Sequence, residues 1–254
     1  MSKHDNTFVW YDLNTTDKAG AKAFYGALFG WSIEDREMEA GTHTSLAHNS
    51  QGFGGIDEVR GDTPPHWLGY FAVSDLDDRV KALGGIGAQT MMPGFDIPGV
   101  GRIAVLSDPA GAAFALYQAS SSGDGDWEPN RSGAGDIGWA EVAATDVAQS
   151  KSFYGKGFGW SSESKPMPTG EYVILSSGDT PVGGLYAKPE MMPVCAWTFY
   201  VNVDDLQVSV AKATSLGATV LMSETVPGMV AFALISDPQG AVIGIAQSLE
   251  AQSA

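Results

Sequence analysis

The sequence predicts an α+β protein of four tandem βαβββ modules, arranged as two similar domains whose curved mixed sheets form a cup. Three observations support this prediction. The two halves of the chain repeat one another, each half contains two strand–helix–strand patterns, and a polar Ser/Gly-rich segment lies between the halves. A repeat of this kind indicates that the repeated unit is also the structural unit.

The repeat is clearest near the start of each half. Residues 10–31 read WYDLNTTDKAGAKAFYGALFGW and residues 139–160 read WAEVAATDVAQSKSFYGKGFGW, with 11 of 22 positions identical. The same offset of 129 residues aligns LSDPAGA at 106–112 with ISDPQGA at 235–241. The halves are therefore homologous along nearly their whole length.

The repeat divides the chain into a first domain over 1–119, a linker over 120–135 and a second domain over 136–254. The linker reads SSSGDGDWEPNRSGAG, a composition typical of flexible connections. Trp127 interrupts it, and the cost of exposing an indole favours packing of this side chain against a domain.

Each module begins with a strand that runs into helix N-cap chemistry, as in Thr16-Asp17. The periodicity predicts a helix over 17–29 with Ala23, Phe24, Ala27 and Leu28 on its buried face. Three short strands separated by turns follow the helix. Two such modules side by side would curl their sheets into a cup, and partly apolar cups hold ligands.

The composition narrows the range of partners. The net charge of −16 disfavours binding to nucleic acid or to an anionic membrane, since both would be repelled. Cys195 is the single cysteine, so neither an internal disulfide nor a cysteine-based zinc site is expected. No segment approaches the roughly 18 apolar residues of a membrane span. These features predict a cytoplasmic protein.

The order of these patterns resembles the vicinal-oxygen-chelate superfamily, which includes glyoxalases, bleomycin resistance proteins and dioxygenases. The resemblance rests on a strand followed by TTD, on FYGALFGW, on DLDD and on the DPAG turn before a strand, and it covers the whole chain. It is strongest to the two-domain glyoxalase-like branch. The resemblance implies two glyoxalase-like domains and, in metal-dependent members, a metal that chelates two neighbouring oxygens of a substrate.

The resemblance also implies where metal ligands would lie. Metal-dependent members carry His or Glu at cup-facing places on the first, fourth, fifth and eighth strands of each domain. In this sequence these places fall on Trp10, Gly54–Gly55, Leu68 and Ala115 in the first half, and on Trp139, Gly183–Gly184, Thr198 and Gly244 in the second. None of these residues binds a metal strongly, so we expect no metal and no other cofactor.

The histidines support the same expectation. The chain has His4, His43, His48 and His66, all in the first half, so the second half has no imidazole of its own. His66 lies two residues before Leu68 and would share its strand face. One histidine does not make a metal site.

Alternation along the strands predicts which residues face the cups. Asp12 and Glu141 share a face with Trp10 and Trp139, and we predict that these two carboxylates are candidate catalytic bases, with hydrogen bonding to a neighbouring strand as the alternative. The predicted ligand-binding residues are Trp10, Trp139, His66, Tyr70, Tyr117, Arg102 and Tyr200. For Arg102, which has no counterpart in the second half, a surface ion pair is the alternative.

Three functions fit these residues. The first is metal-independent binding of a small molecule, of unknown identity, between aromatic walls. The second is a glyoxalase-like lyase, isomerase or hydroxylase that uses Asp12 or Glu141 as base. The third is a non-catalytic scaffold that binds another protein, which tightly packed Trp10 and Trp139 would favour. Because the two halves can pair within one chain, a monomer is favoured, with a homodimer as the alternative.

Overall fold

A computed structural model describes residues 5–38, 41–59, 61–120, 132–167 and 170–249. The first module consists of β1 (Phe8–Thr15), α1 (Lys18–Phe29), β2 (Ser32–Met38), β3 (Gly41–His48) and β4 (Gln51–Glu58). The second consists of β5 (His66–Ala72), α2 (Leu76–Gly84), β6 (Gln89–Ile97), β7 (Gly101–Ser107) and β8 (Ala113–Ala119). The predicted linker lies mostly outside the described residues, and so does Trp127.

The second half repeats the same order. The third module consists of β9 (Ile137–Ala144), α3 (Val147–Phe158), β10 (Ser161–Met167), β11 (Gly170–Ser177) and β12 (Thr180–Ala187). The fourth consists of β13 (Trp197–Asn202), α4 (Leu206–Ser215), β14 (Thr219–Val226), β15 (Val230–Ser236) and β16 (Val242–Ser248). The strands form two eight-stranded mixed sheets, ordered β2-β3-β4-β1-β5-β8-β7-β6 and β10-β11-β12-β9-β13-β16-β15-β14. The prediction of an α+β fold built from βαβββ modules is confirmed.

An aspartate caps the N-terminus of each of the four described helices. The side chains of Asp17, Asp75, Asp146 and Asp205 each accept a hydrogen bond from a backbone N–H three residues later. Such a cap satisfies one of the N–H groups that the first helical turn leaves unpaired, and it is worth about 1 kcal/mol. The strand-end aspartates of the sequence repeat therefore have a structural role in all four modules.

The buried face of α1 differs from the prediction. Phe24 and Leu28 are buried as expected, but Ala23 and Ala27 are exposed, and Ala21 and Tyr25 are buried in their place. The helix is rotated so that Ala21 and the large Tyr25 ring enter the core in place of Ala23 and Ala27. Tyr25 stacks on Trp31 with ring centroids 5.6 Å apart and meets the edge of Trp67 at 5.3 Å. The FYG…W motif therefore builds a buried aromatic box.

The modules pack into two compact units that cut across the halves of the sequence. One unit combines the first module, from Tyr11 onward, with the fourth. The other combines the second module with the third and includes β1 up to Trp10. Within the described residues of each unit, helices of the two modules are in contact, α1 with α4 and α2 with α3.

A buried Trp–Tyr–Asp chain joins the modules inside each unit. In the unit of the first and fourth modules, the Trp67 indole N–H donates to the Tyr25 hydroxyl at 3.1 Å, and that hydroxyl donates to Asp237 Oδ2 at 2.8 Å. In the other unit, Trp197 donates to Tyr154 at 3.0 Å and Tyr154 donates to Asp108 at 3.0 Å. The aspartates belong to the two repeated SDP turns, which explains why those turns recur.

These buried aspartates make stability depend on pH. Burial is the main cause that raises the pKa of Asp108 and of Asp237 above the ordinary value of 3.8, and hydrogen bonds to backbone N–H groups oppose the rise. A carboxyl whose pKa is raised by folding adds stability that is fully present below its unfolded pKa and is lost as the pH rises through the folded value. We therefore expect the free energy of unfolding to decline on account of these groups as the pH rises above about 4.

The matched change is Asp108→Asn, since an amide keeps an acceptor for the turn but does not ionise. The free energy of unfolding is measured by urea denaturation in mild acid and at pH 7. Between these two conditions it should fall less in Asp108→Asn than in the wild type. An equal fall of the unfolding free energy in the wild type and in the variant would show that Asp108 does not titrate in this range.

None of the described helices is long and apolar enough to cross a membrane.

Candidate ligand-binding site

An apolar cluster, here called the aromatic face, lies on the second module and on the start of β1. Its buried members are Leu68, Tyr70, Ile103 and Ala115. Partly buried apolar residues pack against them, namely Trp10, Met92, Ile97, Val105, Ala113 and Tyr117. The structure thus brings together three of the predicted ligand-binding residues, Trp10, Tyr70 and Tyr117.

The rings of the aromatic face are held in different ways. Tyr70 is 8% exposed and forms the floor of the cluster, whereas Trp10 and Tyr117 are only partly buried. The Tyr117 hydroxyl donates to the Val100 carbonyl oxygen at 3.0 Å, which fixes the ring. A fixed aromatic ring with its polar tip already bonded presents mainly its π face to a neighbour, so this surface is suited to flat apolar groups.

Three of the family's four metal-ligand positions in the first half fall on this face. Trp10, Leu68 and Ala115 belong to the aromatic face, and none of them carries a metal-binding atom of the usual kind. On β4, the glycine on the same face as Asp12 is Gly55, its register partner, and a glycine offers no metal-binding side chain. The residues present therefore do not fit the metal that the fold implies.

The second half does not supply the metal ligands either. The ring of Tyr200 covers Gly244 at the eighth-strand position, and it meets Phe232 edge-on with centroids 5.9 Å apart. Thr198 is buried, and its hydroxyl is a poor metal ligand. Within the described ranges, no group of three or more His, Cys, Asp and Glu side chains is arranged to hold a metal ion.

Asp12 lies near His43, a histidine that the sequence did not indicate as a site residue. Asp12 is 7% exposed and pairs in register with Gly55 on β4. A Cβ added to Gly55 would lie 2.8 Å from Asp12 Oδ1 and 2.9 Å from His43 Cε1, so both side chains reach the same point above the glycine. The first module therefore presents a carboxylate next to an imidazole.

Glu141 occupies the equivalent place in the third module with a different neighbour. The Tyr172 hydroxyl donates to Glu141 Oε1 at 2.6 Å, and it lies over Gly184, the register partner of Glu141. Tyr186 follows two residues later on the same strand, and its pKa is raised by burial and then by the charge of Glu141. The third module therefore presents a carboxylate among phenols.

The structure adds three candidate site residues that the sequence did not indicate, namely His43, Tyr172 and Tyr186. The signal was available, because the repeat offset of 129 residues aligns His43 with Tyr172 just as it aligns Asp12 with Glu141. The approach of His43 to Asp12 above Gly55 of β4 cannot be predicted without the register of β3 on β4. His48, five residues further on, instead bonds Asp136 through Nδ1 at 2.7 Å.

The structure places the Arg102 side chain in ion pairs and outside the aromatic face, and its role in ligand binding stays a prediction. Arg102 lies between Gly101 and Ile103 on β7, and its side chain forms ion pairs with Asp77 at 2.6 Å and with Asp96 at 3.0 Å. Ile103 faces the aromatic face, so alternation along the strand turns Arg102 to the other side. The alternative of an ion pair, which the sequence left open, describes this residue.

The remaining predicted residues have separate environments. His66 begins β5, and its Nδ1 lies 2.8 Å from the Pro64 carbonyl oxygen, so Nδ1 carries the proton of this bond. Trp139 on β9 is partly buried, as is Trp10. Tight packing of both tryptophans would favour a non-catalytic scaffold, but both side chains are partly exposed.

Comparison with known proteins places the chain in a family. A model of the family described as the glyoxalase-like domain matches twice, over residues 9–117 and 139–246. The chain belongs to this family, and the predicted membership of the vicinal-oxygen-chelate superfamily, with two glyoxalase-like domains, is confirmed.

Relatives of similar length support the assignment. The chain is 34% identical over 244 residues to CFP32 of Mycobacterium tuberculosis, a protein provisionally named a glyoxylase, and the match covers 93% of this chain and 92% of the relative. It is 28% identical over 269 residues to the anthracycline biosynthesis protein DauV of Streptomyces sp. strain C5, covering 97% of this chain and 94% of DauV.

The fold is shared with solved structures of the superfamily. The 2,3-dioxygenase LapB from Pseudomonas sp. KL28 aligns with a TM-score of 0.67 at 13% identity, over 96% of this chain and 93% of LapB. At this identity the likeness concerns the fold alone.

Proposed function

We propose that this protein binds a flat, largely apolar small molecule on the aromatic face without a metal. The observation that carries the proposal is that Trp10, Leu68 and Ala115, at three of the family's four metal-ligand positions of the first half, form part of one apolar cluster. Residues at these positions face the ligand in metal-dependent members, according to the family resemblance. Here Trp10 is partly exposed at one such position, and the buried Leu68 and Ala115 make its surroundings apolar, which favours stacking over chelation.

The relatives suggest the shape of the ligand. DauV is named for anthracycline biosynthesis, and an anthracycline contains a planar polycyclic quinone. A planar quinone has the two faces that a Trp10 indole and a Tyr117 phenol can stack against. We therefore take a neutral hydroxylated anthraquinone as the first probe and a saturated ring of similar size as its control.

Trp10→Ala should weaken binding of the anthraquinone by about tenfold, because one stacking wall is lost. Trp10→Phe keeps a smaller ring and should lose less. The dissociation constants are measured by isothermal titration calorimetry, and Met191→Ala, at a side chain 89% exposed, is the surface control. Equal affinity of Trp10→Ala and wild type, or equal affinity for the saturated ring, would contradict the proposal.

A second candidate function is that of a lyase, isomerase or hydroxylase with Asp12 as base. The approach of Asp12 and His43 to the same point above Gly55 favours it, since an imidazole near a carboxylate can share or pass on a proton. The test of this function uses NMR to follow the exchange of protons next to the carbonyl group of an added ketone for deuterium from D₂O. Exchange that is lost in Asp12→Asn and retained in Glu141→Gln would support it, and exchange that is equal in Asp12→Asn and wild type would exclude it.

A further inference from the structure

The edge strand β6 contains a β-bulge beside the aromatic face. Met92 pairs in register with Val105 of β7. The next registered pair is Phe95 with Ile103, so two residues of β6 lie opposite one residue of β7. Bulges of this kind change the direction of the side chains around them. Here the bulge brings Phe95, and not the residue before it, opposite Ile103.

The fourth module has no extra residue at this point. On β14, Ser223 alone separates Met222 from Glu224, and these three residues pair regularly with β15. The offset between the two halves is therefore 222 − 92 = 130 residues before the bulge and 224 − 95 = 129 residues after it. As a result, Glu224 occupies the place that Phe95 has in the first half.

The bulge places Phe95 on the same side of the sheet as the aromatic face. Paired residues of neighbouring strands project to the same side, and Ile103, the partner of Phe95, is a buried member of that face. Ile103 pairs in turn with Tyr117 on β8, so these three residues form one row across three strands. Because neighbouring strands are about 4.8 Å apart, the backbones of Phe95 and Tyr117 are about 10 Å apart.

Contacts on the opposite side of the sheet hold the bulge in place. A Cβ added to Gly94 would lie 2.6 Å from Leu76 Cδ2, so the bulge lies directly against α2. Arg102 on β7 forms ion pairs with Asp96 of β6 at 3.0 Å and with Asp77 of α2 at 2.6 Å. The strand on both sides of the Phe95 ring is therefore fixed, which lowers the cost of ordering it when a ligand binds.

Phe95 is the outer ring of this side of the sheet, because β6 is an edge strand. It is 38% exposed, and in the part of the chain that the structure describes no other ring packs against it. Between Phe95 and Tyr117 the sheet presents aliphatic side chains, namely Ile103 and the partly exposed Val105. A flat apolar group that lies on these aliphatic side chains would have an aromatic ring at each end.

We infer that Phe95 extends the aromatic face to the edge of the sheet and selects planar ligands of three fused rings over ligands of one ring. This inference rests on the function proposed above. Three linearly fused rings span the roughly 10 Å between Tyr117 and Phe95, so both side chains contact the ligand at once. A single ring placed against Tyr117 does not reach Phe95.

The second half does not provide an equivalent surface. The corresponding row of the fourth module consists of Glu224, Phe232 and Ala246. Its ring lies in the middle of the row and meets Tyr200 edge-on. Its carboxylate lies at the edge strand, where the cost of removing water from a charge opposes an apolar ligand. The row with two outer rings is therefore a feature of the first half.

The probe is the neutral hydroxylated anthraquinone, with a hydroxylated acetophenone as the one-ring ligand. Dissociation constants for the full chain are measured by isothermal titration calorimetry. Phe95→Ala should weaken anthraquinone binding about fivefold and change acetophenone binding by less than about twofold. Phe95→Tyr keeps the ring and should bind both ligands as the wild type does. Met91→Ala, at a side chain 64% exposed on the same strand, is the control.

Thermal unfolding followed by circular dichroism checks that the variants are folded. Unchanged anthraquinone affinity in Phe95→Ala, or an equal loss of affinity for both ligands, overturns the inference. If Trp10→Ala weakens anthraquinone binding and Phe95→Ala does not, the proposed function stands and only the selection by Phe95 fails. Absence of anthraquinone binding to the wild type contradicts both.

Discussion

Replacing Asp237 with alanine is expected to lower the free energy of unfolding by about 3–5 kcal/mol. Asp237 is 4% exposed and accepts hydrogen bonds from the Tyr25 hydroxyl and from the backbone N–H groups of Gln239, Gly240 and Ala241. Alanine leaves these donors without their acceptor inside the protein, where water does not replace it. Urea denaturation followed by circular dichroism measures the loss, and Asp62→Ala at the exposed Asp62 is the control.

A double-mutant cycle makes this prediction specific to the packing of the first module on the fourth. Tyr25→Phe and Asp237→Asn should show a coupling energy of about 1–2 kcal/mol, because the two side chains share one buried hydrogen bond. Tyr25→Phe combined with Asp108→Asn should instead be additive to within about 0.5 kcal/mol. Coupling of Tyr25 to Asp108 and not to Asp237 would show that the modules are paired differently.

Replacing Gly54 with alanine is expected to destabilise the protein by about 3 kcal/mol or more. A Cβ at this position would lie well inside 3.0 Å of the Tyr11 carbonyl oxygen, and a backbone atom of a paired strand cannot move aside cheaply. Thermal unfolding measures the effect. Gly84→Ala, where an added Cβ meets nothing within 4 Å, is the matched control and should leave stability unchanged or slightly improved.

A Gly54→Ala variant as stable as the wild type would contradict this prediction, because it would mean that β1 and β4 can accommodate a Cβ where they approach most closely.

The sequence predicted the elements well because their signals are local. The N-cap aspartates, the apolar alternation and the turn residues each act within a few positions, so they predict the βαβββ order and a first helix over 17–29, close to the observed α1. Trp10, Tyr70 and Tyr117 were placed on one face by period-two alternation, and the aromatic face contains all three. These successes depend on strands that keep a regular register.

What the sequence could not predict depends on contacts between distant segments. Tyr25 was not assigned to the core because its hydroxyl needs a buried acceptor, and that acceptor, Asp237, lies 212 residues away. His43 and Tyr172 were missed because their meeting with Asp12 and Glu141 depends on the pairing of β3 with β4 and of β11 with β12. The ion pairs of Arg102 with Asp77 and Asp96 depend on the packing of α2 and β6 beside β7, which residues near Arg102 in sequence do not reveal.

Binding of the planar quinone before and after removal of metal tests the central claim most directly. The protein is dialysed against a chelator, its metal content is measured, and the dissociation constant is determined with and without added Ni²⁺, Zn²⁺ or Fe²⁺. Metal-independent binding on the aromatic face predicts dissociation constants that agree to within about twofold. Stoichiometric metal in the protein, with binding that disappears on chelation and returns when metal is restored, would contradict the claim.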